Sequence, residues 1–594
     1  MCKNNWMKRI IAVSVAAGML LNTTLPSLAE SGTEGGYESQ NAADDNSTVN
    51  DSLTDAGQLG DETDNTNNTE AENETTEDQT DSAESIETET QTADTIDGQT
   101  EDTESTETEN QTEITEEETE KQEIQLSLEL LAEGTDDDSR ASGLSLTEAI
   151  RLSNDLALDE KNNKIINVTD GTGLILLSNV RPADYCSGYT INLITTVGWD
   201  VTKSIEIQGK TYEFLGLGDE TNPYSGTFTL DKSTSASQYS ITTSRALFNS
   251  LSTDAALSNT IPFIISSESS SEKPLLAEKL KKGSSDNKLT CNVVLREPNE
   301  GVSDAKIGGL IGTMETDTNA DISFENTVNS ALTVKGESHT GLFCNTMESG
   351  ASLTATFTNT NNGKITVEAA ANGADAGGFV GHMEDGTLTI AGKSVAQVNS
   401  AYGNAGGLVG SANGGAIQIK EEENTNTSFI FADSFALKAG SDKAAGGLIG
   451  EYTVVGSETQ TGKSSAEYDL SRYQFPSDDK KIEISGGANI GGLFGILKNT
   501  SSEGASVTLL NNPANGVNVK VSEAVTNFGG LIGSYQAENL ASSLAIKVED
   551  NSPIHIASAG GSKAGSSYGG VIGEVSKNSY VEIENVSVST ADMN

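Results

Sequence analysis

Gly406-Gly407-Leu408-Val409-Gly410 is followed forty residues later by Gly446-Gly447-Leu448-Ile449-Gly450, and the same short pattern returns along nearly half the chain. The other copies are Gly308-Gly309-Leu310-Ile311-Gly312, Thr340-Gly341-Leu342-Phe343-Cys344, Gly377-Gly378-Phe379-Val380-Gly381, Gly491-Gly492-Leu493-Phe494-Gly495, Gly529-Gly530-Leu531-Ile532-Gly533 and Gly569-Gly570-Val571-Ile572-Gly573. Their first positions are 32, 37, 29, 40, 45, 38 and 40 residues apart. Eight recurrences at a loose period of this size mark an array of stacked structural units.

Between the motifs lie short runs that alternate apolar and polar residues. Leu353-Thr354-Ala355-Thr356-Phe357, Ile365-Thr366-Val367, Ile482-Glu483-Ile484, Val517-Asn518-Val519-Lys520-Val521 and Ile554-His555-Ile556 are examples. Period-two alternation with β-branched residues, bounded by Asn and Gly, predicts strands of three to five residues. No interval carries a ten-residue amphipathic helical pattern. Each repeat then holds about three strands, one of them the glycine motif itself. That is one turn of an all-β, right-handed parallel β-helix over residues 201–594. A propeller, with four strands in about 40–45 residues, is the second choice, because variable spacing and Asn-marked corners suit a solenoid better.

Paired glycines allow positive φ and let the backbone pass close to a neighbouring turn. The apolar pair that follows supplies core. Leu310, Leu342, Phe379, Leu408, Leu448, Leu493, Leu531 and Val571 are expected to form one inward column, about 4.8 Å apart. Asn326, Asn359, Asn511, Asn551 and Asn585 lie beside predicted strands, where a corner suits Asn in the left-handed region or in an Asx-turn. Spacing leaves open whether they form one ladder.

The motif resembles the GLUG-type repeat of bacterial surface and secreted proteins with pectate-lyase-like β-helices. Gly216-Leu217-Gly218 followed by Pro223-Tyr224-Ser225-Gly226-Thr227-Phe228 is similar to the segment that opens such domains, with Ala246-Leu247-Phe248 as a degenerate first Gly-Leu-Phe. The resemblance covers roughly residues 200–594. It implies an architecture and says little of activity, since these repeats occur in adhesins and beside unrelated catalytic domains.

The charge locates the other boundaries. Of 88 Asp+Glu and 35 Lys+Arg, for a net charge of −53, residues 30–123 hold 32 acids and one base, Lys121. A segment so rich in Thr, Glu, Asp and Asn cannot bury enough apolar surface to fold, and its like charges repel. It is expected to be a disordered stalk or a solubilising tail. Residues 1–29 carry Lys3, Lys8 and Arg9, then a twelve-residue apolar run at 10–21, then Ser27-Leu28-Ala29 before Glu30. That order is a secretory signal, and the run is too short to span a bilayer. No later stretch suggests a transmembrane segment. Residues 124–200 are expected to cap the array: 124–130 alternate like a strand, and Ser145-Leu146-Thr147-Glu148 is a capping box opening a helix to about 158. The chain ends partway through a repeat, so the array and an anchor are expected to continue downstream.

Function is less legible. The charge excludes a protein that binds nucleic acid by neutralising phosphates, and 60 Gly without a three-residue period exclude collagen. Three cysteines follow the signal, Cys186, Cys291 and Cys344; Cys344 at a motif glycine position reads as a small core residue rather than a nucleophile. The histidines His339, His382 and His555 form no H-E-x-x-H, with His555 expected to point outward, and no G-x-S-x-G elbow supports a serine hydrolase. Asp317-Thr318-Asn319-Ala320-Asp321 alternates oxygen ligands but lacks the Gly and distant Glu of a calcium loop, so a solvated loop is expected. After Arg296 the only arginine is Arg472, and Trp199 is the only tryptophan beyond the signal. No catalytic, cofactor-binding or metal residue is therefore assigned. The expectation is a non-enzymatic adhesin-like protein, secreted or at a bacterial cell surface, whose partner is a host or cell-surface glycan or protein. The alternatives are a carbohydrate-active β-helix enzyme (lyase or hydrolase), or the N-terminal repeat region of a larger surface enzyme.

Overall fold

The computed structural model describes residues 143–594, apart from 195–197, 231–238, 267–268, 297–304, 361–363, 422–427, 456–464, 478–479, 501–505, 512, 514–515, 539–541, 548–553, 559–565, 578 and 591–594. The signal sequence, the acidic segment and the strand expected at 124–130 lie outside the described residues.

Ser145 opens the helix Leu146–Leu152 as its sequence requires. Its Oγ accepts from the Glu148 amide at 3.3 Å, and the Glu148 carboxylate accepts from the Ser145 amide at 2.7 Å. The helix ends six residues before the position expected from sequence. Ser153 turns extended, its hydroxyl bonds Asp155 at 3.0 Å, and Leu156–Leu158 becomes a strand antiparallel to Ile165–Val168. Ser, Asn and Asp in succession offer the backbone local partners that compete with helix. A second helix, Gly171–Ser178, is capped by Asp170, whose Oδ1 accepts from Gly173 at 3.0 Å. It is buried nearly all round, so it carries no amphipathic stripe by which sequence could reveal it. Among the described residues no helix is long and apolar enough to cross a membrane.

The rest is β. Ile165–Val168, Thr190–Leu193 and Thr227–Leu230 pair in parallel beside the first helix. Beyond them, parallel sheets of eight, ten, nine and seven strands carry the repeats, with a four-stranded sheet in the last ones. The strands expected around 353–357, 365–367, 482–484, 517–521 and 554–556 are present. From the second copy of the motif on, each repeat contributes at least four strands rather than three. In one repeat these are Ala376–Gly377, Val380–Glu384, Thr387–Gly392 and Gln397–Ser400. Each pairs in parallel with its counterpart one repeat on: Ala405–Gly406, Val409–Asn413, Ala416–Ile419 and Ala436–Ala439.

The extra strand comes from the motif, which is a corner and not a strand. Phe379 and Val380 are neighbours yet both fully buried, as are Leu408 and Val409, and Leu448 and Ile449. Two consecutive inward side chains are incompatible with pleat alternation, so the chain bends at the second glycine. A Cβ on Gly407 would stand 2.0 Å from the Gly447 carbonyl oxygen, and one on Gly406 1.8 Å from that of Val409. Close approach explains these glycines; among those of the motif only Gly309 has positive φ, at 92°.

The inward column holds with one correction. Leu310, Phe379, Leu408, Leu448 and Leu493 are fully buried, Leu531 nearly so, and Val571 packs half-buried against the same core. In the second copy, however, Gly341 pairs with Gly377, and Cys344 pairs with Ile311 and Val380. Phe343, not Leu342, therefore occupies the column, and its ring stacks on Phe379 at 5.0 Å. Asn345 falls at the third-glycine position. Its Oδ1 accepts from Gly341 at 3.1 Å and its Nδ2 donates to Gly308 at 3.0 Å, tying the corner that glycines otherwise form. Upstream, Phe248 and Ala277 lie in register with Ile311, which places Leu247 and Leu276 ahead of Leu310 in the column. The unrecognised copy is Leu275-Leu276-Ala277, which has no glycine.

The asparagines divide. Asn326 and Asn359 are paired in register and joined at 3.0 Å. Asn511 and Asn585 adopt left-handed φ of 60° and 58°, and Asn551 lies outside the described residues.

Candidate functional site

Two places concentrate polar chemistry. The first is a groove of about 430 Å³ where the eight-stranded sheet stops at Ala416–Ile419 and the four-stranded sheet starts at Ser465–Asp469. Outward-facing strand residues such as Thr354, Thr389 and Gln418 floor it. Most of its charged groups answer one another, with Glu467 exposed on the wall. Asp321 sits 3.0 Å from the Lys288 ammonium and 3.8 Å from that of Lys420, and Arg472 lies 3.2 Å from Glu421. Asp469 accepts from the Ser471 hydroxyl at 2.6 Å and from Asn511 Nδ2 at 2.8 Å. Burial pushes the Asp469 carboxyl upward, but those hydrogen bonds outweigh it and hold it below the usual range. Tyr468 and Tyr473 close the floor with buried rings, and burial raises both phenols well above their ordinary value. No exposed aromatic platform for a sugar ring is thus provided by the groove's two tyrosines.

The second place is the corner on the far side of the glycine bends. The strands before the bends bring one residue per repeat to this edge: His339, Asp375, Asn404, Ala444, Asn489 and Asn527 follow one another in register. The strands after the bends bring Thr346, His382, Ser411, Glu451, Ile496, Ser534 and Glu574. The two columns touch. Asn527 donates to Glu574 at 2.7 Å, Asn404 reaches Glu451 at 3.5 Å, and Ser411 donates to Asp375 Oδ2 at 2.5 Å.

Near its start this furrow holds two of the three histidines. The rings of His339 and His382 stack at 4.9 Å and 27°. His339 Nδ1 accepts from the Asp375 amide at 3.0 Å and lies 3.4 Å from Asp375 Oδ2. His382 Nδ1 is 2.7 Å from Ser411 Oγ, and its Nε2 is 2.9 Å from Glu384 Oε1. Burial would raise the Asp375 carboxyl, but the His339 ring beside it and hydrogen bonds from Ser411 and the Asn404 amide together hold it below the usual range. One ligating atom each from His339, Asp375 and His382 lies within 4.8 Å of the other two. Ser411, His382 and Glu384 have the connectivity of a hydrolytic relay. Yet Ser411 is buried and its proton is directed to Asp375, so the hydroxyl is not presented to His382 for deprotonation.

Most of the other residues singled out in the sequence are structural. None of Cys186, Cys291 and Cys344 forms a disulfide, and all are buried. Desolvation pushes the thiols of Cys291 and Cys344 up to about 12, and Cys344 fills an apolar column instead of a glycine position. Trp199 is buried, with its indole N–H donating to Val168 at 3.3 Å. Asp317 and Asp321 part company: Asp317 takes a left-handed φ of 58°, whereas Asp321 lies in the strand Asn319–Asn326, which corrects the solvated loop expected there. Arg472 lines the groove. The side chain of His555 lies outside the described residues.

Comparison with known protein families, curated proteins and solved structures gives no significant match.

Proposed function

We propose that the chain is a non-enzymatic, adhesin-like protein, exported to the cell surface or the medium, that holds a right-handed parallel β-helix of GLUG-type repeats above an acidic stalk. The signal-like first 29 residues and the acidic segment behind them support export and display. One strand per repeat in each parallel sheet supports the helical winding. In this reading residues 124–200 cap the array, and the ligand is a glycan or protein of a host or neighbouring cell.

The observation that carries the reading is the state of the groove's acids. A glycosidase or lyase needs carboxylates that face a substrate as acid, base or nucleophile. Here Asp321 and Glu421 answer cations and Asp469 caps the 3-10 turn Leu470–Arg472, so among the lining acids Glu467 alone faces a ligand, where a glycosidase needs a pair. Such a surface recognises polar ligands by matched charge. One feature favours the carbohydrate-active alternative: Lys288, Lys420 and Arg472 converge where an anionic polysaccharide could lie along the sheet. A glycan and matrix-protein binding screen, run beside a lyase and hydrolase assay on the same polysaccharides, separates the two. Retention of a ligand without turnover is expected. Turnover abolished by Asp321→Asn or Arg472→Ala would overturn the adhesin reading.

A further inference from the structure

The structure assigns a transition-metal site, filled best by Zn²⁺, to His339, Asp375 and His382, with Ser411 Oγ beside it; we propose that it clamps adjacent repeats together. Two imidazoles and one carboxylate form a borderline donor set that suits Zn²⁺ and its neighbours, and not Ca²⁺ or Mg²⁺, which take oxygen. The spacing fits. A tetrahedral Zn²⁺ with bonds of about 2.0–2.1 Å has ligand–ligand edges of about 3.3 Å, and His339 Nδ1 stands 3.4 Å from Asp375 Oδ2. Ser411 Oγ, 2.5 Å from Asp375 Oδ2 and 2.7 Å from His382 Nδ1, lies between the remaining donors.

A second arrangement prepares the site. Glu384 Oε1 sits 2.9 Å from His382 Nε2. A carboxylate there can hold a proton on Nε2, so that an ion displacing the proton shared between Nδ1 and Ser411 finds the ring in its ligating tautomer, the outer-sphere pattern found around histidine ligands. Asn404 plays the same part for Asp375, its amide donating to Oδ1 at 2.7 Å and leaving Oδ2 turned to the histidines. His339 and His382 are partly exposed, at 31% and 23% of their side-chain surface, so an ion has a path in. The donors belong to three stacked units: His339 precedes the second motif, Asp375 precedes the third with His382 just after it, and Ser411 follows the fourth. A bound ion therefore joins neighbours that are 29 to 36 residues apart in sequence.

The test is titration of the purified full chain with Zn²⁺ against a chromogenic chelator, with excess Mg²⁺ present to occupy the acidic segment, followed by substitution with Co²⁺. One equivalent bound, a visible d–d spectrum of tetrahedral Co²⁺ and a raised thermal midpoint are expected. His339→Ala, His382→Ala and Asp375→Asn should each weaken binding by at least about tenfold, and Glu384→Ala by about 10–100-fold, as outer-sphere partners do. Circular dichroism checks that each variant is folded. If the variants fail to fold, the unaltered chain still decides, because absence of stoichiometric binding or of the Co²⁺ bands overturns the assignment. So does a folded His339→Ala/His382→Ala double variant that binds as the parent does.

Discussion

Replacing Leu448 with Asp tests the column on which the stack depends. Leu448 is fully buried; its amide donates to Leu493 at 2.9 Å, and its carbonyl accepts from Leu408 at 2.9 Å and Val409 at 3.1 Å. Its backbone is thus held by the repeats on both sides, and the new side chain cannot swing out. Losing a buried leucine costs about 2–3 kcal/mol of transfer free energy. Placing a carboxylate among Leu408, Leu493 and their neighbours adds several more, for about 5 kcal/mol or above in total. Leu448→Met, which conserves volume, should cost less than about 1.5 kcal/mol. Urea denaturation followed by circular dichroism measures both. A Leu448→Asp variant within about 1 kcal/mol of the parent would show that the column is misassigned. From sequence alone Glu451→Lys serves as a neutral surface control, but the structure removes that role. Glu451 contacts the Lys498 ammonium, and both side chains are only 25% and 33% exposed. Its reversal sets two ammonium groups together and should cost about 1–2 kcal/mol, between exposed and buried pairs. The double exchange Glu451→Lys/Lys498→Glu should recover most of it.

Gly407→Ala should destabilise by about 3 kcal/mol, because its Cβ collides with backbone of the next repeat. Gly373→Ala, at φ 75° with nothing within 4 Å, should cost only about 1 kcal/mol of backbone strain; equal shifts in thermal midpoint would refute close approach as the motif's reason. Asp375→Asn should lower stability at neutral pH. The lowered carboxyl of Asp375 stabilises the fold above the unfolded pKa of about 3.9 and loses that effect as pH falls through its folded value. Parent and variant urea midpoints should accordingly converge below about pH 4; a constant gap would rule out the ionised form as the cause. Cys291 and Cys344 should resist a thiol reagent at pH 8 in the native chain and react once it is unfolded, since burial lifts both thiols to about 12. Rapid native labelling of either would contradict their place in the core.

Repetition makes much of the architecture readable in the sequence. The glycine pattern located the stacked units, and alternation in stretches such as 353–357 located strands. Three features escaped for physical reasons. Alternation is a property of straight strands, so a motif that buries two consecutive residues looks like one strand although it is a bend. Pairing register depends on three-dimensional neighbours, and Thr340-Gly341-Leu342-Phe343-Cys344 imitates the motif one position out of phase. The 171–178 segment, buried nearly all round, has no polar face to betray a helix. The furrow was hidden for a related reason. His339 and Asp375 are 36 residues apart, and only alignment of the repeats at Gly341 and Gly377 places both two positions before the same glycine. Aligning the copies by that glycine would have exposed His339, Asp375 and Asn404 as one column. The groove left no such signal, because it arises where one sheet ends and another begins.

Among the described residues the repeat strands pair with counterparts one unit before or after, which has a consequence for how the chain acquires its shape. Strand residues that pair are separated by roughly one period, never by the length of the molecule, so each finished repeat offers strand edges to the repeat that follows. A polypeptide emerging from a pore with its amino terminus leading can zip up rung by rung, starting from the paired strands beside the first helix. It needs no wait for distant sequence to arrive. A defect in one rung should then halt growth at that point while leaving the earlier rungs intact.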